Sequence, residues 1–182
     1  YPRKLSLVLA LLLGAAWAWW TNPAQTLTDI DQKRLDYATA PLEPNQTLSQ
    51  SFRARHDGLT AVQLRVARYR PDHPLPPDAQ LTVQLVPRDD NGGTRTLSVN
   101  VSQLAHNQWL RLAFAPIDDS AGKAYRLTLR ANQRYELGLW ASDADALAEA
   151  ALSLDGQSQG GDLVFSSDYR YDLRHMLADA GH

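Results

Sequence analysis

From Leu5 to Trp20 the chain shows no hydrophobic–polar alternation: LSLVLALLLGAAWAWW is apolar throughout except for Ser6. From Thr47 onward the pattern has a period of two. In LTAVQLRVARYR, Val62, Leu64 and Val66 fall on one face and Gln63, Arg65 and Ala67 on the other, the signature of a half-buried strand. The same alternation places Leu81, Val83 and Leu85 inward in AQLTVQLVPRD, Leu110, Leu112 and Phe114 in WLRLAFAPI, and Tyr125, Leu127 and Leu129 in AYRLTLRA. TLSQSFRA, TRTLSVNV, YELGLWAS, ALSLDG and DLVFSSDYRY complete the set.

Turn signals separate these runs. PDHPLPPD cannot pair as a central strand, Asp90-Asn91-Gly92-Gly93 is a hairpin turn, SQLAHNQ is a short turn or a single helical turn, and DDSAGK turns again. About nine strands at roughly 8–14-residue spacing predict an all-β fold, an antiparallel, jelly-roll-like β-sandwich over residues 47–171. Residues 22–46 read as a polar connector. Within it TLTDIDQKRLDYA has an N-cap at Thr28 and scattered apolar positions at Ile30, Leu35 and Tyr37, and it predicts a short helix ended by Pro41 and Pro44. Residues 172–182 read as a tail or short C-terminal helix.

Arg3 and Lys4 precede the apolar run, and Trp17, Trp19 and Trp20 close it. A basic cytoplasmic end and an aromatic belt at the far interface define a single transmembrane helix over residues 1–21. A cleavable signal peptide has the same charged start and apolar centre, and Ala16-Trp17-Ala18 matches its cleavage pattern. The bulky Trp19 and Trp20 just after that point favour a retained anchor. Sixteen residues at 1.5 Å rise span roughly 24 Å, short of a hydrocarbon core of about 30 Å. That shortfall predicts further residues before Tyr1, or a thin or partnered stretch of membrane. The charge asymmetry puts the remainder outside the cytoplasm, so the expected location is the bacterial inner membrane with a periplasmic C-terminal domain.

Composition narrows the chemistry. The chain has 18 basic and 20 acidic residues, and without Arg3 and Lys4 the body is more acidic still, which gives no electrostatic reason to expect nucleic acid. Cysteine is absent, which excludes disulfides, thiolate nucleophiles and zinc–cysteine sites.

LSQSFRARHDGLTAVQLRVARY, LTVQLV, NQWLRLAFAPIDDSAGKAYRLTLRA, LGLWAS and GDLVFSSDY together resemble an extracytoplasmic β-sandwich module appended to bacterial polytopic membrane proteins, often of the glycosyltransferase or polysaccharide type. The most specific part is Gln50-Ser51-Phe52, then Trp109, Phe114-Ala115-Pro116-Ile117, and Ser120-Ala121-Gly122-Lys123-Ala124-Tyr125. The resemblance implies no catalytic residues or cofactor. Its similarity of fold to carbohydrate-binding modules implies a glycan as an alternative ligand. This chain departs from the pattern in having one short anchor in place of many spans.

The five histidines are dispersed with no H-x-x-H or H-E-x-x-H spacing, and no G-x-S-x-G, P-loop or G-x-G-x-x-G is present. Asp118 and Asp119 beside Asp89 and Asp90 are candidate calcium ligands, against the plainer reading of solvated turn carboxylates. Trp109 and Trp140 read either as core plugs at strand ends or as sugar-stacking platforms, and Tyr169-Arg170-Tyr171 as a ligand or partner surface. In the anchor, Leu9, Leu12, Gly14, Ala15, Ala16, Trp17, Trp19 and Trp20 are the expected packing residues, the small ones allowing close helix approach. The sequence thus predicts a non-enzymatic accessory subunit of a respiratory, photosynthetic or glycan-synthesis membrane complex, with an integral membrane partner and the lipid bilayer as its contacts. A membrane-tethered carbohydrate-binding module is the alternative.

Overall fold

The computed structural model describes residues 25–88, 93–144, 147 and 151–171. Among them the chain is all-β, with thirteen strands in two antiparallel sheets. In chain order these are β1 (Gln25–Asp31), β2 (Tyr37–Ala38), β3 (Leu48–Arg53), β4 (Leu59–Arg68), β5 (Gln80–Pro87), β6 (Arg95–Asn100) and β7 (Trp109–Ile117). There follow β8 (Ala124–Ala131), β9 (Leu137–Ser142), β10 (Ala151–Leu154), β11 (Gln157–Ser158), β12 (Asp162–Leu163) and β13 (Phe165–Tyr171). One sheet runs β1-β13-β4-β9-β12, with β7 on β4 and β2 on β9; the other runs β11-β10-β3-β8-β5-β6. Thr28–Tyr169 form one compact unit, and Gln25–Leu27 and Arg170–Tyr171 fall outside it.

The alternation read from the sequence builds the core. Val62, Leu64 and Val66 from β4, Leu81, Val83 and Leu85 from β5, and Leu127 and Leu129 from β8 are all buried in one apolar cluster. Phe52 on β3 links the sheets: its ring stacks on Tyr125 of β8 at 5.8 Å and meets Phe165 of β13 in the facing sheet at 5.3 Å. The arrangement is that of a β-sandwich, two sheets closing over one core. Phe114 departs from the expected inward set, lying half-buried against the edge of the cluster.

The helix expected in residues 28–37 is replaced by strands. Gln25–Asp31 is the edge strand β1 beside β13, and Tyr37–Ala38 pairs with β9. Thr39 and Leu42 continue along β9 by donating backbone N–H groups to the carbonyls of Leu139 and Leu137. Ile30 enters the core from β1, and long-range pairing supplies the backbone partners that a helix would have provided locally. The sheets therefore begin well before residue 47. The hairpin residues 89–92 lie outside the described residues, but β5 and β6 pair antiparallel on either side of them, as the turn requires. Among the described residues no helix is long and apolar enough to cross a membrane. The Leu5–Trp20 segment, with every anchor residue named above, and the 172–182 tail lie outside them.

Candidate functional site

The outward side chains of β4 meet those of β7 and β13 on the outer face of the first sheet. In the β4–β7 register Arg65 stands opposite Trp109 and Gln63 opposite Arg111. Neighbouring side chains on one face of a strand pair interact directly. The Arg65 guanidinium lies 5.3 Å from the centre of the Trp109 ring, a cation–π contact. On the other flank of β4, Gln63 Nε2 donates to both carboxylate oxygens of Asp168, at 3.3 and 3.1 Å. Arg111 Nε stands 3.5 Å from the same carboxylate. Three strands thus present one tryptophan, two guanidiniums, an amide and a nearly buried carboxylate. Beyond them on β7, Ala113 and Ala115 are exposed.

A second cluster ties the β3–β4 turn to β1. The Asp29 side chain is fully buried. One oxygen sits 2.8 Å from His56 Nδ1, and the other accepts the Arg55 backbone N–H at 2.9 Å. The His56 ring stacks on Tyr169 at 4.4 Å. Ser120, fully buried, accepts the Leu59 N–H and donates to the backbone carbonyl of His56, not to its imidazole. Serine, histidine and aspartate are therefore close, yet the hydroxyl is not activated by the ring, and the three do not form a catalytic relay. They lock two turns together.

The sequence-selected residues are dispersed. Trp109 is half-buried with Arg65 against its ring; Trp140, also half-buried, meets the His106 ring edge-on at 6.0 Å. Tyr169 is only 8% exposed and lies against His56, so it offers no open stacking face. Arg170 is exposed and Tyr171 half-buried. Of the calcium candidates, Asp89 and Asp90 lie outside the described residues. Lys123 Nζ sits 2.6 Å from Asp119 and holds its carboxyl below the usual carboxylate range. Among the described residues no three histidine or carboxylate side chains come together as a metal site.

Sequence reading missed Asp29 and Asp168. One signal was present: an aspartate inside the strand FSSDYRY, where acidic residues are depleted unless something partners them.

No protein-family model matches the chain, and no curated protein is similar enough to count as a relative.

Proposed function

We propose that this chain is a non-catalytic accessory subunit of a bacterial membrane assembly, held in the inner membrane by Leu5–Trp20, with its sandwich docked on the periplasmic face of an integral membrane partner. The observation that carries this reading is the Trp109–Arg65–Arg111 patch. Tryptophan and arginine dominate the energetics of protein interfaces, and small exposed neighbours such as Ala113 and Ala115 let a partner surface approach closely. The basic residues before the apolar run and the tryptophans after it support the anchor. The strand order supports a jelly roll: β1-β13-β4-β7 on one side and β3-β8-β5-β6 on the other are the two four-stranded halves of that topology. The likeness to modules appended to glycan-synthesis membrane proteins makes such an assembly the first host to examine.

Fractionation of cells carrying the full chain tests the reading. The chain stays with membranes through an alkaline wash and keeps its apolar segment on N-terminal sequencing. Recovery as a soluble periplasmic protein beginning near Trp19 overturns it. A second reading, a membrane-tethered carbohydrate-binding module, is favoured by a pocket of mixed charged and apolar lining beside the turn between β7 and β8.

A further inference from the structure

β7 is an edge strand. Among the described residues it pairs with β4 alone, along the nine residues from Trp109 to Ile117. The bonds around it show which of its backbone groups turn outward. Val66 N donates to the Gln108 carbonyl and Asn107 N to the Val66 carbonyl, both at 3.0 Å, while Arg65 N turns the other way, to the Val164 carbonyl at 3.1 Å. Backbone groups alternate sides along a strand, so Leu64 and Val62 also face β7, where they stand opposite Leu110 and Leu112. Those two leucines direct their N–H and C=O groups at β4. Trp109, Arg111 and Ala113 direct theirs away from the sheet, and among the described residues no hydrogen bond meets them.

An open edge invites a further strand, and proteins blunt it with proline, charge or a bulge. On β7 the proline, Pro116, and the irregular register both come after Ala113. From Trp109 to Ala113 the only charge is Arg111.

The flanking side chains say what kind of strand fits. On the outer face Arg65 and Arg111 are cationic, and the Arg111 side chain is 47% exposed although its Nε stands 3.5 Å from Asp168. On the inner face Phe114 is half-buried, as are Leu97 and Val99 of β6, the edge of the second sheet, so the core is least covered along these two strands. An incoming strand gains from a carboxylate opposite Arg111 and apolar residues at the alternate, inward positions. A second copy of this chain fits poorly, because antiparallel self-pairing through Trp109, Arg111 and Ala113 together sets Arg111 against Arg111.

We infer that β7 accepts an added strand from the membrane partner, an extended segment with an acidic residue facing Arg111 and apolar residues on its other face. The inference rests on the docking reading and names its mode.

The test follows amide hydrogen exchange of the full chain in detergent, with and without a synthetic peptide of about nine residues. The peptide alternates valine with threonine and carries one central glutamate; a second peptide has lysine in its place. We expect the Trp109, Arg111 and Ala113 amides to exchange faster than those of Leu110 and Leu112 in the free chain, and to slow several-fold with the acidic peptide. The lysine peptide should bind about fivefold more weakly, and Arg111→Glu should reverse that preference. Ala113→Pro removes only an outward N–H, so it should keep the melting temperature and lose the peptide. Slow exchange of the three amides in the free chain, a lowered melting temperature of Ala113→Pro, or no protection by the acidic peptide each overturns the proposal. In capture of the membrane partner, retention by Ala113→Pro with loss from Trp109→Ala overturns strand addition while leaving docking intact; no partner with wild type removes both.

Discussion

Gln50 and Asp162 lie on facing sheets and are joined by one amide. Gln50 Nε2 donates to Asp162 Oδ1 at 2.9 Å, and both residues are fully buried. The same amide donates to the Ser51 carbonyl, its oxygen accepts the Leu163 N–H at 2.8 Å, and Asp162 Oδ2 accepts the Leu147 N–H at 3.0 Å. The network pins the short strand β12 across the core to β3. Gln50→Leu keeps most of the volume but removes one donor from the buried carboxyl and strands the Leu163 N–H. We expect a loss of about 2–4 kcal/mol, read as a fall of roughly 10 °C in melting temperature.

Asp36 gives the fold an acid-sensitive clasp. Desolvation favours the neutral carboxyl, but hydrogen bonds from Ser142, Arg34 and the Asp143 backbone outweigh it and bring the pKa from 3.8 to about 2. The carboxylate accepts from Ser142 Oγ at 2.8 Å and from the Asp143 N–H at 3.1 Å, fastening the segment before β2 to the end of β9. Because the folded-state value is the lower one, the stabilisation is complete above pH 3.8 and disappears as pH falls toward 2. Thermal melts across that interval should show a steeper loss for wild type than for Asp36→Asn, which starts lower and changes less.

Two glycines should respond differently to the same change. Gly161 has φ +67°, and a Cβ there would stand 1.9 Å from the Ser142 carbonyl oxygen. Gly156 has φ +81° but nothing within 4 Å. Gly156→Ala meets only left-handed backbone strain, about 1–2 kcal/mol. Gly161→Ala adds a backbone collision, and we expect about 3 kcal/mol or more. Denaturant titration of both variants checks the order.

Trp109→Ala should separate stability from association. The ring is half-buried at the start of β7 beneath the Arg65 guanidinium, a contact worth about 0.5–1 kcal/mol at an exposed site. Melting temperature should move by only a few degrees, while partner retention should drop sharply, as truncating a central interface tryptophan costs about 2 kcal/mol or more.

The parts of the fold visible in the sequence are those set by local alternation. The faces of β5 and β8 follow from the two-residue period because each strand has one wet and one dry side, whereas β4 has no exposed residue and buries Ala67 on the face the period marks as outward. β1 was hidden for a physical reason. QTLTDID buries only Asp29 and Ile30, so an edge strand with one short apolar contact looks like a polar connector until β13 is folded beside it. The polar clusters were hidden by distance along the chain: Asp29 finds His56 across 27 residues and Gln50 finds Asp162 across 112. Trp109 was singled out as an aromatic, but its charged surroundings come from strand register, which alternation alone does not give.

The most direct test of the account is capture of the tagged full chain from membranes in mild detergent, wild type against Trp109→Ala, with stoichiometry measured. We expect one integral membrane protein in equimolar amount with wild type, and its loss from the variant while the variant stays folded and membrane-bound. A wild-type chain recovered alone, or a partner held equally by both, would contradict the docking of this sheet face on a membrane protein.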